Sequence, residues 1–120
     1  MQVFESVLEM IGNTPMLHLS KIEKLLNLKG KLYAKVERNN PGGSIKDRVA
    51  LNMILKALES GKINKDATLI ESTSGNTGIG IAMVASALDM KAIITMPDTM
   101  SKERINMMKA YVTKLKELLF

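Results

Sequence analysis

Two short stretches carry side chains that could do chemistry. The first is NNPGGSIKDR, residues 39–48. Ser44 and Asp47 stand at the offset of a capping box, with Ser44 as the N-cap of a helix. Lys46 then falls in the first helical turn, where the positive end of the helix dipole disfavours a cation. Such a field favours the neutral amine, whose free lone pair can attack a carbonyl carbon to form a Schiff base. The plainer alternative is a lysine that points into water. Pro41, Gly42 and Gly43 let the backbone bend sharply and approach a ligand closely. The segment is not a P-loop, because Ile45 stands where that motif places glycine before its lysine.

The second stretch is STSGNTG, residues 72–78. Backbone N–H groups at a helix start, with the hydroxyls of Thr73, Ser74 and Thr77, can cradle an anion. Asn76 adds an amide that both donates and accepts. Alone, this loop suits a tight turn as well as a carboxylate or phosphate site. GNTGIG is not in the order of the dinucleotide fingerprint.

The elements that must hold these loops follow from periodicity. SVLEMIGNTPM reads as a short helix stopped at Gly12, and LHLS and KLYAKVE as short strands, with Leu32, Ala34 and Val36 alternating. SIKDRVALNMILKALESG is a strong helix with two apolar rows, Ile45, Val49 and Met53, then Ala50, Ile54 and Leu58, closed by Gly61. ATLIES is a strand leading into the second loop. NTGIGIAMVASALDM is a helix rich in small residues, as if closely packed, KAIITM a buried strand and SKERINMMKAY a helix. Strand alternating with helix implies an α/β fold, a parallel sheet flanked by helices. Parallel sheets bind ligands at the carboxyl ends of their strands, where the second loop falls. VTKLKELLF keeps helical spacing, with Ile105, Met108, Val112, Leu115 and Leu119 near one face, so a helical tail over 112–120 and no further strand are expected.

Composition narrows the function classes. A chain of 120 residues builds one small domain with a modest core. The absence of cysteine excludes a disulfide scaffold, a thiolate zinc site and a cysteine nucleophile. A single histidine, His18, argues against a histidine metal site or a Ser-His-Asp triad. Net charge is +5, but the lysines are scattered and aromatics make up only 3%, which speaks against a nucleic-acid partner. The N-terminus has no signal-peptide pattern and no apolar run is long enough to span a bilayer, so a cytoplasmic protein without a membrane partner is expected.

Four ordered blocks, IGNTPMLHL, NPGGSIKDR, ESTSGNTGIGIA and MPDTMSKERINMMKAY, together resemble the cysteine synthase (O-acetylserine sulfhydrylase) and cystathionine β-synthase family of fold-type II pyridoxal-phosphate enzymes. The resemblance covers residues 1–111 and implies an incomplete, N-terminal portion of that fold, with 112–120 a divergent tail. It implies that Lys46 forms the Schiff base with pyridoxal 5′-phosphate and moves the substrate α-proton. Asn76 would bond the cofactor's 3′-oxygen, and Thr73, Ser74, Gly75 and Thr77 would grip the substrate carboxylate. The implied reaction is β-replacement, in which O-acetylserine and sulfide give cysteine and acetate, in an enzyme that is a homodimer at full length. Two alternatives are a non-catalytic fragment of the family and a cystathionine β-synthase-like activity. Ser72 stands where the family commonly has proline, and His18 where it commonly has arginine. The family's proteins are also far longer, and their glycine-rich phosphate loop has no counterpart in these residues.

Overall fold

The most apolar segment of the sequence becomes the helix around which the rest is built. In the computed structural model, which describes residues 1–73, 75–97, 99–111 and 114–118, this is helix α4, Asn76–Ala87, buried from Gly78 through Ala85. A helix that is apolar all round has to be covered on every side. Its covers are α3 (Lys46–Glu59), the strands β3 (Thr68–Ser72) and β4 (Lys91–Pro97), α5 (Lys102–Tyr111) and the short α1 (Val7–Met10). The core of this packing is Ala50, Ile54, Ile79, Ile81, Ala82, Met83, Val84, Ala85, Ile94, Met96 and Met108.

β3 pairs with β4 in parallel, from Thr68↔Lys91 to Ser72↔Thr95. β4 alternates fully and partly buried residues from Ala92 to Met96, as a central strand does when both faces are covered. The parallel sheet flanked by helices is therefore as expected. Of the two apolar rows on α3, only Ala50, Ile54 and Leu58 face the core; Ile45, Val49 and Met53 are exposed. The chain leaves α3 through Ser60 and Gly61, the latter with φ +69°.

The tail requires a correction. Residues Lys114–Leu118 form a strand, β5, parallel to β4, with Ile93↔Lys114 through Pro97↔Leu118 in register. The expected helix over 112–120, and the expectation that no strand follows α5, fail for these residues. Without β5, one edge of β4 would present bare N–H and C=O groups, and pairing outweighs a weak local preference for helix. Val112 and Leu119, also assigned to that helical face, lie outside the described residues.

Before α3 the chain makes a separate two-stranded antiparallel sheet of β1 (Met16–His18) and β2 (Tyr33–Lys35), bridged by the short helix α2 (Ser20–Leu25). No described helix is long and apolar enough to cross a membrane.

Candidate functional site

Lys46 lies in the first turn of α3, as its motif predicts, and is exposed; the helix begins at Lys46 with Ile45 as its N-cap, where Ser44 is expected. The cap differs from expectation. Ser44 Oγ accepts from the Lys46 N–H at 3.1 Å, but Asp47 does not return to Ser44. Its carboxylate reaches past, to accept the Gly42 N–H at 2.6 Å, because the turn through Gly42 and Gly43 folds that amide back over the helix start.

Behind this turn lies a polar network that joins three segments. Arg48 donates Nε to Glu37 Oε2 at 2.8 Å and Nη2 to Glu37 Oε1 at 2.9 Å, a two-point pair. Nη2 also donates to the Gly12 carbonyl at 2.8 Å and to Thr14 Oγ1 at 3.2 Å. Asn40, buried, donates Nδ2 to Glu37 Oε2 and accepts the Gly12 N–H. The Arg48 hydrogen bond, helped by Asn40 and Thr14, holds the Glu37 carboxyl down from 4.5 to about 2. The same pairing raises Arg48. Segments 12–14, 37–40 and 46–48 are thus tied together directly behind Lys46.

The second loop lies at the carboxyl end of β3, as expected of a parallel-sheet ligand site. Thr73 continues the ladder by donating its N–H to the Thr95 carbonyl at 3.0 Å. Its Oγ1 accepts the Gly75 N–H at 3.2 Å, which leaves the hydroxyl proton to donate elsewhere. Gly75 caps α4 without a side-chain bond among the described residues, so Asn76 and Thr77 open the helix with their first-turn N–H groups uncapped by any described side chain. Asn76 is exposed, and Thr73, Gly75 and Thr77 are half-buried. Ser74 lies outside the described residues.

What brings the two loops together is a close helix crossing. A Cβ on Gly80 would stand 3.0 Å from the Lys46 carbonyl oxygen and 3.1 Å from Ala50 Cβ. The Lys46 backbone therefore rests against α4, four residues, or about one turn, beyond Asn76. A Cβ on Gly78 would stand 2.6 Å from Thr73 Cγ2, so the same helix also seats the loop. An exposed primary amine, an exposed amide and two half-buried threonine hydroxyls thus share one end of the α3–α4 pair. Such a set can bind a carbonyl compound covalently and an anion beside it.

The residues that sequence reasoning missed are those of the network. Glu37 lay outside every quoted motif, and Thr14, Asn40 and Arg48 lay inside quoted motifs without a role. Periodicity does not report pairs so far apart in the chain.

The sequence profile of the family described as "Pyridoxal-phosphate dependent enzyme" matches residues 7–118, and the chain belongs to that family. Among its relatives, a cysteine synthase of Flavobacterium sp. is 53% identical over 108 residues, 90% of this chain and 34% of that protein. A hydrogen sulfide-producing enzyme of Fusobacterium nucleatum superposes with a TM-score of 0.86 at 46% identity, over 99% of this chain and 38% of that one. The O-acetylserine dependent cystathionine beta-synthase of Helicobacter pylori superposes at 0.85 with 34% identity, over 99% of this chain and 39% of that one. The chain thus spans roughly a third of the length of these relatives.

Proposed function

We propose that this chain carries the lysine-bearing part of a β-replacement site, in which sulfide replaces the acetate of O-acetylserine to give cysteine. The observation that carries the reading is the seating of the Lys46 backbone on Gly80, one turn from the Asn76 amide and the 73–77 loop. The site's chemistry fits pyridoxal phosphate: an exposed amine for its aldehyde, an amide beside it for a ring oxygen, and uncapped helix N–H groups for an acid.

In this reading Lys46 would hold the cofactor covalently, and Asn76 would orient it by hydrogen bonding to its ring oxygen. Once bound, the cofactor supplies an electron sink for the pair left on the substrate's Cα. Thr73, Gly75 and Thr77, with Ser74, hold the substrate carboxylate through hydroxyl and N–H donors. The Lys46 amine would take the proton from the substrate's Cα. The Cβ–O bond to acetate would break, a Cβ–S bond to hydrosulfide would form in its place, and Lys46 would return the proton to Cα. A second reading, with homocysteine as the nucleophile, is favoured by the likeness to the Helicobacter pylori enzyme. The two are separated by the product formed from O-acetylserine when each thiol is offered.

The test is to add pyridoxal phosphate to the purified chain and record the visible spectrum beside Lys46→Ala. A Schiff-base band that the substitution abolishes is the expected result. A spectrum identical in both proteins, reflecting only scattered lysine adducts, would overturn the reading.

A further inference from the structure

Asp47 is fully buried, and its Oδ1 has no hydrogen-bond partner among the described residues. Burying a carboxylate with one oxygen unsatisfied is costly, and burial pushes the Asp47 carboxyl upward, against the opposing Gly42 hydrogen bond. An aspartate in a first helical turn ordinarily gains from the dipole while staying in water. Here it turns inward instead, and its carboxylate's single described bond is from the Gly42 N–H at 2.6 Å. The fit is close enough that a Cβ on Gly42 would stand 2.5 Å from Oδ1 and 2.9 Å from Oδ2.

The residues on either side give that contact its meaning. Arg48 is fixed behind by Glu37, Gly12 and Thr14. Lys46 has its N–H on Ser44 and its carbonyl against Gly80. Successive helical residues diverge by roughly 100°. With residue 47 buried and the Arg48 guanidinium tied to Glu37, Gly12 and Thr14, the direction left to residue 46 is the exposed one. Asn40 and Gly43 close the turn from the other end, with the Gly43 N–H on the Asn40 carbonyl at 2.8 Å.

We propose that Asp47 is a positioning residue for Lys46: its carboxylate, seated on the Gly42 N–H, clamps loop 40–44 to the first turn of α3 and so fixes where the lysine leaves the helix. The inference rests on the reading of Lys46 as the cofactor-binding amine. Asp47 touches no reacting atom; it acts through the loop and the helix start.

Three variants test it. Asp47→Ala removes the acceptor, Asp47→Asn keeps an oxygen that can accept the Gly42 N–H, and Gly42→Ala breaks the seat from the other side. The first readout is amide hydrogen exchange at Gly42 and Gly43, with Ile81 to Ala85 as the core reference. The second is the share of borohydride-trapped pyridoxal phosphate found on Lys46, by peptide mapping, against Lys56 and Lys62. Asp47→Ala and Gly42→Ala should speed loop exchange by about tenfold, as loss of one hydrogen bond to a charged group implies. Core exchange should hold, the Lys46 share should fall, and Asp47→Asn should restore both. Unchanged loop exchange in Asp47→Ala and Gly42→Ala overturns the clamp. Faster loop exchange with an undiminished Lys46 share overturns the positioning role. Should Asp47→Ala not fold, Gly42→Ala and Asp47→Asn decide by the same criteria. If the unaltered chain shows no preference for Lys46, the proposed function falls by itself. The clamp is then decided by loop exchange and by the acetylation rate of Lys46 with acetic anhydride, and an acetylation rate that the variants leave alone overturns it.

Discussion

Glu37 and Asp47 are two carboxyls beside one helix start, and their surroundings push them in opposite directions. The Arg48 hydrogen bond holds Glu37 at about 2, below its ordinary 4.5. Its ionised form therefore favours the folded chain, with a contribution present above pH 4.5 and lost as acid carries the pH down toward about 2. Asp47 runs the other way, because burial raises its carboxyl and ionisation above 3.8 opposes folding. Thermal unfolding followed across that acid range should show the Glu37 contribution directly. Glu37→Gln should lower the midpoint at neutral pH and flatten the decline between 4.5 and about 2. A decline of unchanged slope in the variant would show that the network does not couple to folding. The residues with candidate chemistry were legible because each sits inside a contiguous motif. Their support was not: Arg48 meets Glu37 across 11 residues and Gly12 across 36, and no local pattern records such a pairing.

At the scale of elements, the α3–α4 crossing is what converts two motifs into one site. Both neighbours of Gly80 at that crossing, the Lys46 carbonyl and Ala50 Cβ, belong to the frame of α3 and cannot rotate aside. Gly80→Val would drive the helices apart. Overpacking of this kind costs about 1–3 kcal/mol, and the β-branched side chain returns little helix preference. Denaturant unfolding should show that loss, and trapping of pyridoxal phosphate at Lys46 should fall with it. Trapping retained in a destabilised Gly80→Val chain would mean that the crossing supports the fold but not the site. The alternation of α3, β3, α4 and β4 was readable because the two strands are apolar runs, α3 has an amphipathic period and α4 is a long run of small and apolar residues. β5 was not readable. Lys114, Lys116 and Glu117 have poor strand preference, and the leucine spacing matches a helix as well as a strand. Its state is decided by the open edge of β4, which is a property of the sheet and not of the segment.

The molecule as a whole is extended for its length. Its radius of gyration is 17.6 Å and its extents are 53 × 35 × 28 Å, against about 14 Å for a compact domain of this size. Much of the excess is surface that a compact chain would bury. Around the β1–β2 sheet, Met16, Leu17, Leu25, Leu26, Leu28 and Tyr33 are exposed, Leu25 by 82%. Ile70 on β3 is 69% exposed and lines an open cavity of about 210 Å³ with Met53, Ile54, Ala57, Ile63, Leu69, Ile81 and Glu71. Apolar patches of this kind drive association in water. The net charge of +5 opposes it by repulsion between copies. The two terms respond oppositely to salt, because screening weakens repulsion and leaves apolar burial intact. Sedimentation of the purified chain should therefore show a weight-average mass that rises with concentration and rises further when salt is added. The double substitution Leu25→Asn and Leu26→Asn leaves the net charge alone and removes two of the most exposed leucines. It should shift the association curve to higher concentration at every salt level. An unshifted curve would remove the β1–β2–α2 surface as the cause and leave the cavity beside β3 to account for association, with Ile70→Asn as the variant that must then respond.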